Sequence, residues 1–332
     1  MMTKQLTLLL LLLLPTPLLA GNDQSPLELA QSALDQWRAD RAVSILEQHR
    51  DPENVEWLKL KGLALITVGR IDEAMPYLED AKTRAPEDAE PHWYRLAGLT
   101  ASLNDSGALG QMRLARQIRR ALETVVELDP DNPEYRLGLM QFHMGAPRVV
   151  GGRSSVAEEQ RQRLAEIDPH WGLLADALFL ISEKEQRAGL DGLLQAWDEG
   201  RGIEDAAMPA VFNAQALEDW AAARKTLHEY LAMKPGNPSA LYQLGRTAAL
   251  SGEDRPAGKA ALEEYLALPF HSPLMPSAAA AWRRLGEIHL AGGDAEQAQQ
   301  AWHQALKLDP EFEEARLALE ALQNGEDEEK RI

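Results

Sequence analysis

The sequence predicts an all-α fold of antiparallel helix pairs stacked side by side, and three observations predict it. Small and bulky apolar residues recur in one order along the chain: an apolar face around a Gly or Ala, a turn, then a second stripe marked by alanines. Prolines close these units at a regular interval, with Pro235 and Pro269 34 residues apart. Helix-start signals fall in the same register, as in Asn132-Pro133 and Asn237-Pro238, where a capping Asn precedes a first-turn Pro. The 332 residues, 45% hydrophobic and 26% charged, suit a folded chain: two ordinary domains or one long repeat array. Tryptophan (8) outnumbers Tyr (6) and Phe (5), so the few aromatics are expected to be anchors.

Residues 1–20, MMTKQLTLLLLLLLPTPLLA, have the layout of a secretory signal peptide. Lys4 is a short basic start, leucines run from Leu8 to Leu14, Pro15 and Pro17 break the helix, and Ala20 precedes the cut. The apolar run falls short of the ~20 residues that a membrane span needs. Leu18 sits where a small residue is preferred, so the cut is not pinned to Ala20, and an uncleaved N-terminal anchor is the alternative. There is no cysteine for lipid attachment. Losing Lys4 takes the formal charge from −18 to −19. The expectation is a periplasmic protein with no integral membrane segment after signal cleavage.

The units follow in order. A degenerate helix pair at 21–54 carries Ala30, Ala33, Ala42 and Leu46. Residues 55–200 hold repeats with insertions, the first of which, 55–86, carries Leu58, Gly62, Leu65, Ala74, Leu78 and Ala81 and closes on Pro86. Pro130 and Pro169 end later helices. Pro169 to Pro235 is 66 residues, close to two periods, and Glu199-Gly200-Arg201-Gly202 stands where a closing proline is missing. Residues 201–310 hold regular repeats: 204–235 with Ala223, Leu227 and Tyr230, and 238–269 with Leu241, Leu244, Gly245, Ala248, Gly252 and Ala257. Ser155-x-x-Glu158 reads as a capping box. A capping helix at 311–325 aligns Phe312, Ala315, Leu319 and Leu322 and stops at Gly325, and the acidic tail 326–332 is expected to be disordered.

The clearest unit, 279–310, places Trp282, Leu285, Gly286 and His289 on one helix. A turn follows at Gly292-Gly293-Asp294, then Ala298, Trp302 and Ala305 on a second helix, closed by Pro310. This resembles the tetratricopeptide repeat, a helix–turn–helix of about 34 residues. It departs from the family pattern in having His289 in the Tyr place and Trp302 in the Phe place. The resemblance covers roughly 23–324 and is strongest in 55–86 and 238–310. It implies a right-handed superhelix of about seven to eight helix pairs that binds protein or peptide partners along a concave groove lined by the first helix of each pair.

Two stretches break the pattern. The unit beginning near Glu90 has Trp93, Leu96 and Ala97 in place, yet Pro86 to Pro130 is 44 residues, so about ten are extra. The excess lies around Leu103–Gly107 and a basic run, Arg113, Arg116, Arg119 and Arg120, which reads either as a solvated face or as a docking patch for an acidic partner. Further on, Gly138–Ser155 contains a helix expected to end near Gly145, then a long glycine-bearing loop. Gly151, Gly152 and Arg153 there are a candidate anion loop, since backbone N–H groups before a helix can face an anion. They lack P-loop spacing, so nucleotide is not expected.

No catalytic or metal-binding constellation stands out. The histidines are scattered without H-E-x-x-H, and there is no G-x-S-x-G and no cysteine. Neither enzymatic activity, nor a cofactor, nor a metal is expected. The formal charge of −18 argues against nucleic acid, whose phosphates need a basic footprint. In the family register the groove positions are Lys59, Leu63, Tyr94, Met208, Phe212, Tyr242, Arg246, Arg283 and Glu287. Of these, Met208, Phe212 and Tyr242 form an apolar strip with Arg246 and Arg283 beside it, able to hold one hydrophobic and one acidic side chain of a partner. The family's clamp for a chaperone-tail carboxylate needs a Lys followed one turn later by Asn, and Lys59 is followed by Leu63. The expected function is a non-enzymatic scaffold or assembly factor of the bacterial envelope. The alternative is a small-ligand or anion-binding periplasmic protein that uses the Gly151-Gly152-Arg153 loop.

Overall fold

A computed structural model of the chain describes residues 24–103, 106–199, 204–269 and 275–329. The expected signal peptide, Asn104, Asp105 and the Gly200–Gly202 part of the glycine stop lie outside them. The described chain forms eight antiparallel helix pairs and a terminal helix. They are α1 Pro26–Asp35 with α2 Ala39–Gln48, α3 Val55–Thr67 with α4 Ile71–Arg84, α5 Glu90–Ala101 with α6 Ala108–Leu128, and α7 Pro133–Gly145 with α8 Ser154–Ile167. Then come α9 Pro169–Ser182 with α10 Gln186–Glu199, α11 Ala207–Ala216 with α12 Trp220–Met233, α13 Pro238–Ser251 with α14 Arg255–Leu266, and α15 Ala278–Ala291 with α16 Ala295–Leu308. Helix α17, Glu313–Glu329, follows, and two short 3-10 turns sit at Arg148–Val150 and Glu204–Ala206.

The fold is all-α, and close approach within each pair explains the small residues. A Cβ on Gly62 would lie 2.5 Å from Leu78, one on Gly245 2.2 Å from Leu262, and one on Gly286 2.3 Å from Trp302. In each case the first helix yields space that a large side chain of the second helix fills. Tryptophans also join elements through their N–H: Trp57 donates to the Leu46 carbonyl at 3.1 Å, Trp302 to that of Arg283 at 3.1 Å, and Trp197 to the Glu229 carboxylate at 2.9 Å. They are anchors twice over, by volume and by a satisfied polar tip.

Each helix packs on the next, and first helices of neighbouring pairs touch: α1 on α3, α3 on α5, α7 on α9, α11 on α13 and α13 on α15. That second contact is thin between α5 and α7 and between α9 and α11, the junctions where the chain leaves its period. One core runs from Leu137 to Ile288 and another fills α1–α4, while α5–α7 are held by smaller clusters around Leu96, Leu122 and Tyr135. The stack bends far enough that Trp37, in the first turn, comes within 3.8 Å of the place a Cβ on Gly236 would take, next to the α12–α13 turn.

Local expectations were met unevenly. Asn132 and Asn237 cap α7 and α13 by accepting from backbone N–H groups. The Ser155–Glu158 capping box is not formed: α8 begins at Ser154, and Glu158 accepts from Arg161 instead. A capping box does form at Ser25 and Glu28, ahead of α1. Helix α17 does not stop at Gly325 but runs to Glu329, so residues 326–329 are helical, not a disordered tail. A glycine costs a helix only about 1 kcal/mol, too little to end one that continues into good helix formers. No described helix is long and apolar enough to cross a membrane.

Candidate functional site

The expected groove positions fall on the first helices of the last three pairs. At 100° per residue, positions one turn apart share a face, so Met208 and Phe212, Tyr242 and Arg246, and Arg283 and Glu287 form three successive pairs. Phe212 is 49% exposed although it is a large apolar ring. Met208 is half-buried against the central core. Tyr242 is a correction: it is 7% exposed, with its ring 5.6 Å from that of Tyr265 on α14, so it packs beneath the face instead of lining it. Sequence reasoning missed Leu250 and Leu290, both more than 40% exposed. The first lies one turn beyond Arg246 and the second nearly one turn beyond Glu287. Together with Phe212 they give an exposed apolar residue on each of three consecutive first helices, which continued counting from Arg246 and Glu287 would have found.

The cations of this face are unusual for an acidic chain. Arg246 donates to the Gln215 side-chain oxygen and has no ion pair among the described residues. Its neighbour in charge is another cation, Arg284, and burial first, then Arg284, hold its pKa below arginine's usual value. Gln215 in turn donates to Thr247 at 2.9 Å, and Thr247 donates to the Gln243 carbonyl at 2.7 Å. Arg283 and Arg284 share one carboxylate, Glu287, each at 2.8 Å. Their Nε–H groups are buried without an acceptor. Two guanidinium groups therefore meet one carboxylate, and Arg246 meets none among the described residues. Lys59, at the matching place in α3, is the opposite case. Glu90 at 2.6 Å, Glu56 at 2.7 Å and Asp88 at 3.0 Å surround it, and these acids reverse the downward pull of burial on its pKa. Lys59 has no capacity left for a partner's carboxylate.

The Gly151-Gly152-Arg153 loop is held by its own hydrogen bonds. The N–H of Gly151 donates to Arg148 at 3.0 Å, that of Gly152 to Pro147 at 3.2 Å, and that of Arg153 to the His143 Nδ1 at 3.2 Å. Gly151 has φ +102°, and a Cβ on Gly152 would lie 1.8 Å from the Ala146 carbonyl oxygen, so both positions require glycine. The backbone donors on which an anion reading depends are occupied. His143, 4% exposed, organises the loop, a role its lone position in the sequence did not signal. From α6, Arg116 donates to the Val149 carbonyl at 3.3 Å, and Arg119 pairs with Glu123 at 2.7 Å while packing against Gly151. Half of the basic run thus serves the loop. Among the described residues no group of three or more His, Asp or Glu is placed to hold a metal ion.

Two segments match family models described as tetratricopeptide repeat: residues 27–89 and residues 279–312. Over those two segments the chain carries tetratricopeptide repeats. No curated protein matches it. Among solved structures, human IFIT1, a dimer with m7Gppp-AAAA, is 15% identical and superposes with a TM-score of 0.57, over 92% of this chain and 73% of that one. The APC/C hetero-tetramer Cut9-Hcn1 gives 17% identity and a TM-score of 0.52, over 91% of this chain and 56% of that one. At these identities the likeness is one of fold, a tetratricopeptide-type superhelix.

Proposed function

We propose that this protein is a non-enzymatic scaffold that holds a segment of a protein partner against α11, α13 and α15. The observation that carries this is Arg246, a half-buried guanidinium with no anionic partner among the described residues, beside Arg284, in a chain of formal charge −18. Even partial burial of a cation without a counter-charge carries a desolvation cost, and a chain with 52 Asp and Glu had every opportunity to supply the charge. An acidic side chain of a partner would complete the site, with Phe212, Leu250 and Leu290 receiving its apolar neighbours. We place the scaffold in the periplasm of a bacterial envelope and assign it to assembly or maturation there. The leader-like residues 1–20 support that placement.

The test is capture of partners from an envelope fraction by the wild type, by Phe212→Ala/Arg246→Gln, and by Leu308→Ala, an exposed apolar residue on a second helix. The groove variant is expected to lose the specific partner and the Leu308 variant to keep it. Equal capture by all three would remove the groove assignment, and capture of capped or uncapped RNA instead of protein would replace the partner class.

A further inference from the structure

The other half of the basic run leads to a different place. Arg120 on α6, an exposed side chain, lines an open hollow of about 260 Å³ together with residues of α4 and α5. Its walls carry Lys82 from α4, His92 and Arg95 from α5, and Gln117, Arg120 and Thr124 from α6. We infer that this cavity is a binding site for a phosphate-type dianion.

Charge and geometry both support the assignment. Glu79 is the one carboxylate paired with these cations among the described residues, 3.1 Å from Lys82 and 3.7 Å from Arg95, and it is largely exposed at the rim. Arg120 has no hydrogen bond or ion pair among the described residues, and the side chains of Gln117 and Thr124 are equally unengaged. Lys82, Arg95 and Arg120 against Glu79 leave two positive charges unmatched, the charge of a phosphate dianion. The three cations come from three helices, an arrangement that suits the divergent oxygens of a tetrahedral ion better than the two of a carboxylate. Thr124 and Gln117 add neutral donors. His92 reports the local potential: burial first, then Lys82 and Arg95, hold its pKa below the ordinary histidine value, against the pull of Glu79 and Asp88. In a chain with 52 acidic residues, an open hollow left two charges positive is a feature to explain. A surface face serving solubility alone would be expected to meet its cations with some of those acids.

The site is separate from the groove and does not depend on the scaffold assignment. The experiment is calorimetric titration and thermal melting of the full chain with inorganic phosphate, and separately with O-phosphoserine, against sodium chloride of matched ionic strength. The wild type is expected to bind and to melt at a temperature that rises with the logarithm of ligand concentration. Arg120→Gln should bind at least tenfold more weakly and Lys82→Gln likewise, whereas Glu79→Gln, which removes the competing carboxylate, should bind more tightly. Arg38→Gln, an exposed cation elsewhere, should match the wild type. Circular dichroism on each variant separates lost binding from lost folding. O-phosphoserine binding tighter than inorganic phosphate assigns the site to a phosphate ester, and the reverse order assigns it to the free ion. No binding above the chloride reference, or undiminished binding by both Arg120→Gln and Lys82→Gln, overturns the inference. Phe212→Ala should bind phosphate normally, so the two sites fail independently.

Discussion

Helices α13–α16 and helices α5–α8 are built from the same unit but held together by different means. In α13–α16 the contacts are mainly of volume: Gly245 receives Leu262, Gly286 receives Trp302, and the first helices touch. In α5–α8 the first-helix contact is thin, the core breaks into small clusters, and polar groups do much of the positioning. His143 accepts from the Arg153 backbone, Arg116 donates to the Val149 carbonyl, and Arg136 reaches the Pro130 carbonyl at 2.5 Å and Gln160 at 2.6 Å. Where volume complementarity lapses, the backbone is held by directed bonds. Those bonds respond to pH and to local sterics in a way that a packed glycine does not.

The comparison is tested most strongly by Trp302→Ala. It empties a fully buried site and frees the Arg283 carbonyl, and is expected to cost about 4 kcal/mol in denaturant unfolding. A cost below about 1 kcal/mol would mean that volume does not hold the last pairs. Next, Gly152→Ala must displace the Ala146 carbonyl oxygen and should cost about 2 kcal/mol. Hydrogen exchange should locate the damage at residues 146–153 and leave α13–α16 protected. Damage spread through the whole stack would show that the loop is a structural member in its own right.

A smaller effect is expected from pH. Burial first holds the His143 pKa below its ordinary value of 6.5, with Arg119 and Arg153 adding to it against Glu123. A depressed pKa means that the unfolded chain takes up the proton more readily. The contribution of neutral His143 is therefore complete above pH 6.5 and is lost as pH falls below it toward the folded-state pKa. Protection of the Arg153 amide should decline over that interval, and replacing His143 by Phe should abolish the pH dependence. A flat profile in the wild type would contradict the neutral acceptor. Smallest of all is Phe212→Ala, which should change stability by less than about 0.5 kcal/mol, because half of the ring is already in water, and yet remove partner capture.

Much of the fold was legible because it rests on local regularities. The alanines and glycines at fixed intervals, the capping asparagines and the closing prolines each act within a turn or between adjacent helices. The site was legible only in part. Register counting brought Phe212 and Arg246 to one face, but it could not tell that Tyr242 would turn under toward Tyr265 or that Leu250 and Leu290 would stay exposed. Those outcomes depend on which neighbouring helix reaches the side chain first. Ser155 and Glu158 show the same limit: a motif that is correct by spacing went unused because α8 already starts at Ser154, which puts Ser155 inside the helix and leaves Glu158 to accept from Arg161.

By itself, the sequence determined that the chain pairs its helices and where most of them begin and end, since helix periodicity and terminal signals are short-range physics. Tertiary structure alone decided how the charges meet. It divided one basic run between a glycine loop and a hollow between α4 and α6, surrounded Lys59 with acids, and left Arg246 with none among the described residues. Electrostatic partnership is set by distances across the stack, and residues that face each other there, such as Lys59 with Glu90 or Arg120 with Lys82, are more than 30 positions apart along the chain.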